Sequence, residues 1–313
     1  MNLPRILAIV GPTASGKTSI SLLLAELLNG EILSADSRQI YKHLDIGTAK
    51  PSLADRRRVK HHFIDLLEPD EEYSAGQFGK DARNVVHAIL KRGMVPILVG
   101  GSGLYVKAVI DGLFEGPEKD PEIRERLTEQ WQREGIGSLL DALKKVDPAA
   151  LAKMKEVTPR RVIRALEVFH ITGKPLSQFH AKQEKAPGFE TIQVGLDWER
   201  RELYARINQR VDRMIADGLI DEVRALKKMG LDKRVNALNT VGYKEVFDYL
   251  AGMLNYDEMV FLIKQNTRRF AKRQLTWFRA DKRIRWNTMT PDCQDADVAR
   301  DIEKIFRSRR AKP

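Results

Sequence analysis

The sequence predicts an α/β fold in which a doubly wound parallel sheet is interrupted by an inserted helical domain. Short apolar runs alternate with amphipathic segments over the first third of the chain. Three helix-start signals then follow within forty residues, with no strand-like run between them. Strands that alternate with helices form parallel sheets, and such sheets bind ligands at the carboxyl ends of their strands.

The first strand, over residues 6–10, leads into a phosphate-binding motif. The next eight residues match G-x-x-x-x-G-K-[ST], the P-loop, and a helix with an apolar stripe follows them. In such a loop the backbone N–H groups surround a phosphate, a lysine adds positive charge, and the last hydroxyl binds Mg²⁺. We therefore expect a di- or triphosphate, with Mg²⁺ as cofactor and Thr18 as its protein ligand. The expected phosphate contacts are Gly11, Pro12, Thr13, Ala14, Ser15, Gly16, Lys17 and Thr18.

Further apolar runs, together with residues that start or end helices, predict the positions of the other elements. The runs predict strands over 31–36, 63–67, 96–101, 191–198 and 284–286, and a helix over 75–91. A capping side chain precedes a proline at 120–121, 147–148 and 158–159, and each pair predicts a helix start. We expect a P-loop core made of 1–115 and 190–313, and a helical insertion domain over 116–189.

Composition narrows the class of protein. Cys293 is the single cysteine of 313 residues, which excludes an internal disulfide and suits a reducing compartment. No apolar run approaches the ~20 residues of a membrane span. We therefore expect a cytoplasmic protein without membrane contact, and a monomer. The net charge of +11 favours a polyanionic partner.

The positive charge is concentrated near the C-terminus. Eight Lys and Arg residues lie between 267 and 285, against one acid, Asp281. Lys272 continues an i, i+4 row of cations that runs beside Trp277 and Phe278. Cations that hold a phosphate backbone and rings that stack on bases are typical of RNA binding. The alternative is that both aromatic residues belong to the core and that the cations are merely solvated.

A carboxylate and several arginines are candidates for chemistry. The run at 97–99 ends in glycines instead of the Asp that holds the metal in kinases and ATPases, whereas Asp36 ends the second predicted strand. Asp36 could hold a metal, cap a following helix or act as a general base. Arg206 and Arg210 share a helical face and could clamp phosphates or be solvated. Three more arginines begin the predicted helix at 159, where the helix dipole disfavours cations. Such a placement suggests contact with a phosphate backbone.

Together these segments resemble the tRNA dimethylallyltransferase (tRNA isopentenyltransferase) family of the bacterial type. The resemblance runs from residue 11 to about residue 280 and therefore covers nearly the whole chain. The most specific segments are Asp36-Ser-Arg-Gln-Ile-Tyr41 and Ala271-Lys-Arg-Gln-Leu-Thr-Trp277, and further support comes from Gly100-Gly-Ser-Gly-Leu-Tyr105 and Val241-Gly-Tyr-Lys-Glu245.

The resemblance implies transfer of a dimethylallyl group from dimethylallyl diphosphate to N6 of adenosine 37, with release of diphosphate. It implies that Asp36 is the general base and that the P-loop holds the diphosphate. The charge on the departing diphosphate can be stabilised by Thr13 and an arginine, for which we favour Arg210, and Arg206 is expected to contact the diphosphate. The expected partner is the tRNA anticodon stem-loop, over which the insertion would close. The implied RNA contacts are Asp36, Ser37, Arg38, Gln39, Ser102, Arg124, Arg160, Arg161, Arg164, Gly242, Lys272, Arg273, Gln274 and Trp277.

Three alternatives stay open at this stage. An adenylate isopentenyltransferase would prenylate free adenine nucleotides, but it would not need the basic segment 264–285. A P-loop kinase of a small metabolite would transfer phosphate from ATP. A nucleic-acid binding module could use the P-loop only as a switch.

Overall fold

A computed structural model of the chain describes residues 3–113, 116–154, 156–181 and 187–308. The described residues fall into two compact units, one within Met1–Asp111 and Pro187–Pro313 and the other within Gly112–Ala186. Among the described helices, none has both the length and the apolar composition to cross a lipid bilayer.

The first unit is built on one parallel sheet of six strands, in the order β3-β2-β4-β1-β5-β6. This arrangement confirms the predicted α/β fold class. The strands are β1 Arg5–Val10, β2 Gly30–Ser34, β3 His61–His62, β4 Val95–Gly100, β5 Glu190–Trp198 and β6 Arg285–Met289.

The described helices number fourteen, of which five lie in the second unit. In chain order they are α1 Lys17–Leu28, α2 Leu53–Arg58, α3 Ala75–Lys91, α4 Gly103–Ile110, α5 Pro121–Glu134, α6 Ile136–Val146, α7 Pro148–Lys153, α8 Pro159–Thr172, α9 Leu176–Ala181, α10 Arg200–Ala216, α11 Leu219–Lys228, α12 Tyr243–Leu250, α13 Tyr256–Arg279 and α14 Asp295–Arg307.

Side chains alternate across the sheet, and each face buries its own core. On β1, Leu7 and Ile9 pack with α1 and α14, whereas Ile6, Ala8 and Val10 pack with α3 and α4. Strands buried on both faces read as continuous apolar runs, which explains why β1 has no polar position after Arg5. The sheet thereby holds the carboxyl ends of β1, β2 and β4 side by side.

A third core lies where the segment after β2 packs under α10 to α13. Tyr41 and Leu44 are buried there with Tyr243, Val246 and other apolar side chains. This core anchors the chain that leaves the end of β2. The second unit has a separate core of α5, α6 and α8, which contains Leu127, Leu139, Leu143, Val162 and Leu166.

Three details differ from the predictions. The predicted strand over 63–67 is wrong, because Phe63 and Asp65 have positive φ angles of 64° and 55°, which end the strand at His62. Asp120 and Asp147 cap their helices by accepting from the N–H groups of Ile123 and Ala150, but the Thr158 side chain makes no such bond. Phe189, predicted to lie in the insertion, is buried in the first unit against His87.

Candidate active site

The P-loop curls around the start of α1 at the carboxyl end of β1. Ala14 and Gly16 have φ angles of 64° and 93°, and α1 begins directly afterwards at Lys17. Ala14 is held in a backbone region that costs a residue with a Cβ about 1–3 kcal/mol, and such strain concentrates at functional sites. The loop and the first turn of α1 therefore present backbone N–H groups to an anion.

Lys17 is half-buried within this loop. Its Nζ donates to the carbonyl of Pro12 at 2.6 Å. Burial lowers the pKa of Lys17 to about 7, the charge of Arg210 lowers it as well, and the charge of Asp36 opposes them. Lys17 is consequently close to losing its proton at neutral pH until an anion arrives.

Two arginines of α10 bind the loop in different ways. Arg206 donates from Nε to the carbonyl of Ala14 at 2.9 Å, and its guanidinium lies 4.1 Å from the ring centroid of Trp198. Arg210 donates to the hydroxyl of Thr13 at 3.0 Å. Arg206 is therefore tied to the loop backbone, whereas Arg210 contacts the side chain predicted to assist catalysis.

A cavity of about 590 Å³ opens against the P-loop and α10. Its lining includes Lys17, Thr18, Arg206 and Arg210, together with two arginines that the sequence analysis missed, Arg58 and Arg213. Arg213 follows Arg210 by three residues on the same helix, so the spacing could have revealed it. Arg58 lies on α2, far along the chain, and had no such signal.

Asp36 lies two residues beyond Ser34, the last residue of β2, and faces this cluster of cations. Its Oδ1 accepts the N–H of Arg38 at 2.9 Å, and residues 37–40 form a turn. The interpretation of Asp36 as a helix cap is therefore wrong, because no helix follows it. Its negative charge raises the pKa of both Lys17 and Arg210, against burial, which lowers the pKa of each. The structure thus brings Asp36, Lys17, Arg210 and Thr13 together.

The residues after Asp36 are held by side chains. Ser37 donates its N–H to the hydroxyl of Ser102 at 3.1 Å, so these two predicted RNA contacts adjoin. Gln39 accepts from Ser34 and donates to the carbonyls of Thr48 and Ala49. The Gln39 amide therefore supports the loop that follows β2.

Helix α13 carries the basic segment as far as Arg279, and its cations have different surroundings. Lys264 pairs with Asp212 at 2.6 Å, and Arg268 donates to Asn208 at 2.7 Å, so both are bound to α10. Lys272 and Arg273 are exposed. Of the four cations just named, Lys272 and Arg273 are therefore the ones available to a partner.

The two aromatic residues at the C-terminal end of α13, Trp277 and Phe278, also differ. Phe278 is buried in the core, as the alternative interpretation supposed, whereas Trp277 is 45% exposed. Gln274 is buried and bonds to Thr13 and Gly101 instead of facing solvent. Gly242 is buried at the start of α12, where its N–H donates to the Glu245 carboxylate. Trp277 is thus accessible from outside, whereas Gln274 and Gly242 are hydrogen-bonded within the protein.

In the second unit, the predicted RNA contacts divide in the same manner. Arg124 and Arg164 donate to the buried Glu167 carboxylate at 2.7 and 2.8 Å. Burial by itself would raise the pKa of Glu167, but these hydrogen bonds outweigh it and hold the pKa below its ordinary value. Arg160 and Arg161 are exposed at the start of α8.

Metal ligands are sparse in the described part of the chain. No group of three or more His, Cys, Asp and Glu side chains there is arranged to hold an ion. Thr18 lines the cavity at the first turn of α1. A metal at this position would need oxygen atoms from its ligand in addition to the threonine hydroxyl.

Comparisons with known proteins agree with one another. The family model for IPP transferase matches residues 39–281. A curated relative from Pelotomaculum thermopropionicum, a tRNA dimethylallyltransferase, is 49% identical over 309 residues, which cover 96% of this chain and 97% of the relative. A second relative, tRNA dimethylallyltransferase 1 of Pelobacter propionicus, is 47% identical over 91% of this chain and 92% of its own.

Solved structures show the same kinship. The tRNA isopentenylpyrophosphate transferase of Bacillus halodurans is 40% identical, with a TM-score of 0.70 and coverage of 96% of each chain. A eukaryotic dimethylallyltransferase acting on tRNA is 26% identical, with a TM-score of 0.82, over 98% of this chain and 81% of its own. The chain therefore belongs to the IPP transferase family.

Proposed function

We propose that this protein is a tRNA dimethylallyltransferase that moves a dimethylallyl group from dimethylallyl diphosphate to N6 of adenosine 37, beside the anticodon. The observation that carries the proposal is the cluster of Asp36, Lys17, Arg210 and Thr13, in which a carboxylate faces a cationic phosphate loop. The names of the relatives support the reaction, and the tRNA-acting structural neighbour supports the substrate class.

The chemistry needs a base on one side and an anion site on the other. The lone pair of N6 is delocalised into the adenine ring, so N6 attacks the allylic carbon only as its proton leaves. Asp36 takes that proton while the C–N bond forms. The allylic C–O bond breaks and its electron pair goes to the diphosphate. Lys17, Arg210, the Thr13 hydroxyl and the loop N–H groups stabilise the resulting charge.

Mg²⁺ fits the site as a ligand shared between protein and diphosphate. Mg²⁺ commonly keeps several waters and binds through few protein ligands plus substrate phosphates. The Thr18 hydroxyl is the protein oxygen that would hold it, and the ion would neutralise charge on the departing diphosphate.

The anticodon stem-loop would bind through exposed cations and one ring. Arg160 and Arg161 in the second unit, and Lys272, Arg273 and Trp277 on α13, are accessible to a nucleic acid. Adenosine 37 must leave the loop stack to reach a carboxylate, as in other enzymes that modify a base. Ser37 and Arg38 follow Asp36 directly and would contact the extruded nucleotide or its neighbours. We place this reaction in the cytoplasm, and we expect a monomer.

The test is mass analysis of tRNA after incubation with dimethylallyl diphosphate and Mg²⁺. We expect one C₅H₈ unit on adenosine 37 and release of pyrophosphate. Free AMP as acceptor tests the adenylate alternative, and labelled ATP with candidate small-metabolite acceptors tests the kinase alternative. Prenylation of AMP but not tRNA, or phosphate transfer from ATP, would contradict the proposal.

A further inference from the structure

Gln274 lies on the buried face of α13 and reaches two loops at once. Its Oε1 accepts the N–H of Thr13 at 2.9 Å, and its Nε2 donates to the carbonyl of Gly101 at 3.0 Å. The residue is 7% exposed. One side chain of the basic helix thus joins the P-loop to the segment that follows β4.

The contact between α13 and that segment requires glycine, which has no side chain, at positions 101 and 103. A Cβ at Gly101 would lie 2.1 Å from Nε2 of Gln274, and a Cβ at Gly103 would lie 2.1 Å from Cδ1 of Trp277. Gln274 and Trp277 are three residues apart and share a helix face. Both glycines therefore let α13 approach the loop backbone closely.

The same segment also reaches the carboxylate side of the site. Ser102, between the two glycines, accepts the N–H of Ser37, the neighbour of Asp36. On the P-loop side, Thr13 accepts the guanidinium N–H of Arg210. Gln274 is therefore hydrogen-bonded directly to the P-loop. Through the segment Gly101–Gly103 it is also linked to Ser37, the neighbour of the proposed general base Asp36.

We propose that Gln274 is a positioning residue for the transfer reaction, fixing the Thr13 backbone so that its hydroxyl and Arg210 face the diphosphate. The Thr13 N–H is bonded to Gln274, so Gln274 acts through Thr13 and does not touch the substrate. This role replaces the RNA contact predicted for Gln274 from the family resemblance. It rests on the proposed function, in which the P-loop binds a diphosphate and α13 faces RNA.

The first test compares two buried glutamines. Gln274→Met keeps the approximate side-chain volume and removes both hydrogen bonds. Gln193→Met is the matched control, because Gln193 is buried on β5 and hydrogen-bonds to Asp281. Calorimetry with inorganic pyrophosphate and Mg²⁺, filter binding with an anticodon stem-loop RNA, and steady-state kinetics give the readouts.

For Gln274→Met we expect pyrophosphate affinity and kcat each to fall by about tenfold, which is the effect of losing one or two hydrogen bonds of ordinary strength. We expect the dissociation constant for RNA to change by less than about twofold, since the exposed contacts of α13 are unaltered. Gln193→Met should leave all of these values near those of the wild type.

A second variant gives a signature that a purely structural role would not produce. In Gln274→Glu, a protonated carboxyl can accept from Thr13 and donate to Gly101, as the amide does. Burial raises the pKa of a carboxyl group. The kcat of this variant, divided by that of the wild type at the same pH, should therefore rise as the pH is lowered from about 8 to about 6, because the carboxyl group becomes protonated.

The outcomes separate this proposal from the proposed function. Weaker RNA binding with unchanged pyrophosphate affinity in Gln274→Met would make Gln274 an RNA contact and overturn the proposal. Equal losses in Gln193→Met, or a flat pH ratio for Gln274→Glu, would overturn it as well. If the wild type prenylates no RNA, the proposed function fails, but the pyrophosphate measurements still decide the role of Gln274.

Discussion

The guanidinium of Arg210 donates to the hydroxyl of Thr13 at 3.0 Å, whereas Arg206, one turn earlier on α10, donates to the Ala14 carbonyl. The two arginines are equivalent by spacing but differ in what they contact. Arg210 holds a side chain of the phosphate loop, and Arg206 braces the backbone of that loop against Trp198.

This difference predicts unequal effects of removing each guanidinium. Arg210→Gln should lower kcat by about 10²- to 10³-fold, the range for losing one donor to a developing negative charge. Arg206→Gln should lower it less and should also reduce the melting temperature, because the carbonyl of Ala14 and the face of Trp198 lose their partner. Steady-state kinetics and thermal denaturation of both variants check this. Equal kinetic losses would mean that both arginines act on the diphosphate.

The lowered pKa of Lys17 predicts that diphosphate binding is coupled to proton uptake. Its pKa is about 7 in the free protein, so it is charged below that pH and loses its charge above it. A bound diphosphate favours the charged form, so binding above pH 7 takes up a proton. Pyrophosphate affinity should then fall by up to about tenfold per pH unit as pH rises above that pKa.

Calorimetry in buffers of different ionisation enthalpy measures that proton uptake. Lys17→Gln is the control, because it keeps the titration of pyrophosphate itself and removes that of the lysine. The difference between wild type and Lys17→Gln should show uptake above neutral pH. An identical proton balance in both proteins would rule the linkage out.

Asp36 predicts a separation of binding from turnover. Asp36→Asn retains an oxygen that can accept the Arg38 N–H, so the turn after β2 should persist. The variant cannot take a proton from N6, and we expect turnover to fall by about 10² to 10⁴. RNA affinity should stay within about threefold of the wild type, as no exposed phosphate contact is lost. Near-normal turnover would remove Asp36 from the mechanism.

The divided basic row on α13 predicts a divided salt dependence. Lys272→Gln with Arg273→Gln removes two exposed cations, and the slope of log affinity against log salt should flatten by about two. Lys264→Gln with Arg268→Gln is the matched control, since those cations are bound to Asp212 and Asn208. Filter binding at several salt concentrations measures both. An unchanged slope for the Lys272→Gln, Arg273→Gln variant would mean that these two cations are merely solvated and do not contact RNA.

Glu222 predicts a stability effect at the loop after Asp36. Its carboxylate accepts the N–H groups of Asp45, Ile46 and Gly47 and the hydroxyl of Tyr243. Glu222→Ala leaves these donors without a partner and should lower the free energy of unfolding by about 2–4 kcal/mol. Tyr243→Phe removes one of the four bonds and should cost about 1 kcal/mol. Urea denaturation compares the two, and equal losses would contradict this account.

Local patterns in the sequence determined most of the fold and the phosphate-binding part of the site. The apolar run before Gly11 and the motif through Thr18 encode strand, loop and helix within a few residues of one another, so they need no partner to be recognised. The helix starts at Pro121, Pro148 and Pro159 are equally local, because a proline at the first helical position is a property of the backbone.

The failure at 63–67 has the opposite cause. Residues with apolar side chains there predicted a strand, but the chain turns at Phe63 and Asp65, and Lys50 and Arg56 bind the Asp65 carboxylate. Those partners are 15 and 9 residues away in sequence. No window of local sequence contains enough of that arrangement to reveal it.

By itself, the sequence determined that a phosphate loop, a strand-end carboxylate and a basic helix exist in this protein, because each is written in neighbouring residues. Only the tertiary structure decided which side chains face ligand and which face protein. Arg210 and Gln274 meet at Thr13 across separations of 197 and 261 residues. Such a meeting is set by the packing of α10 and α13 beside the sheet, and side-chain type alone cannot distinguish a bonded, buried amide from an exposed one.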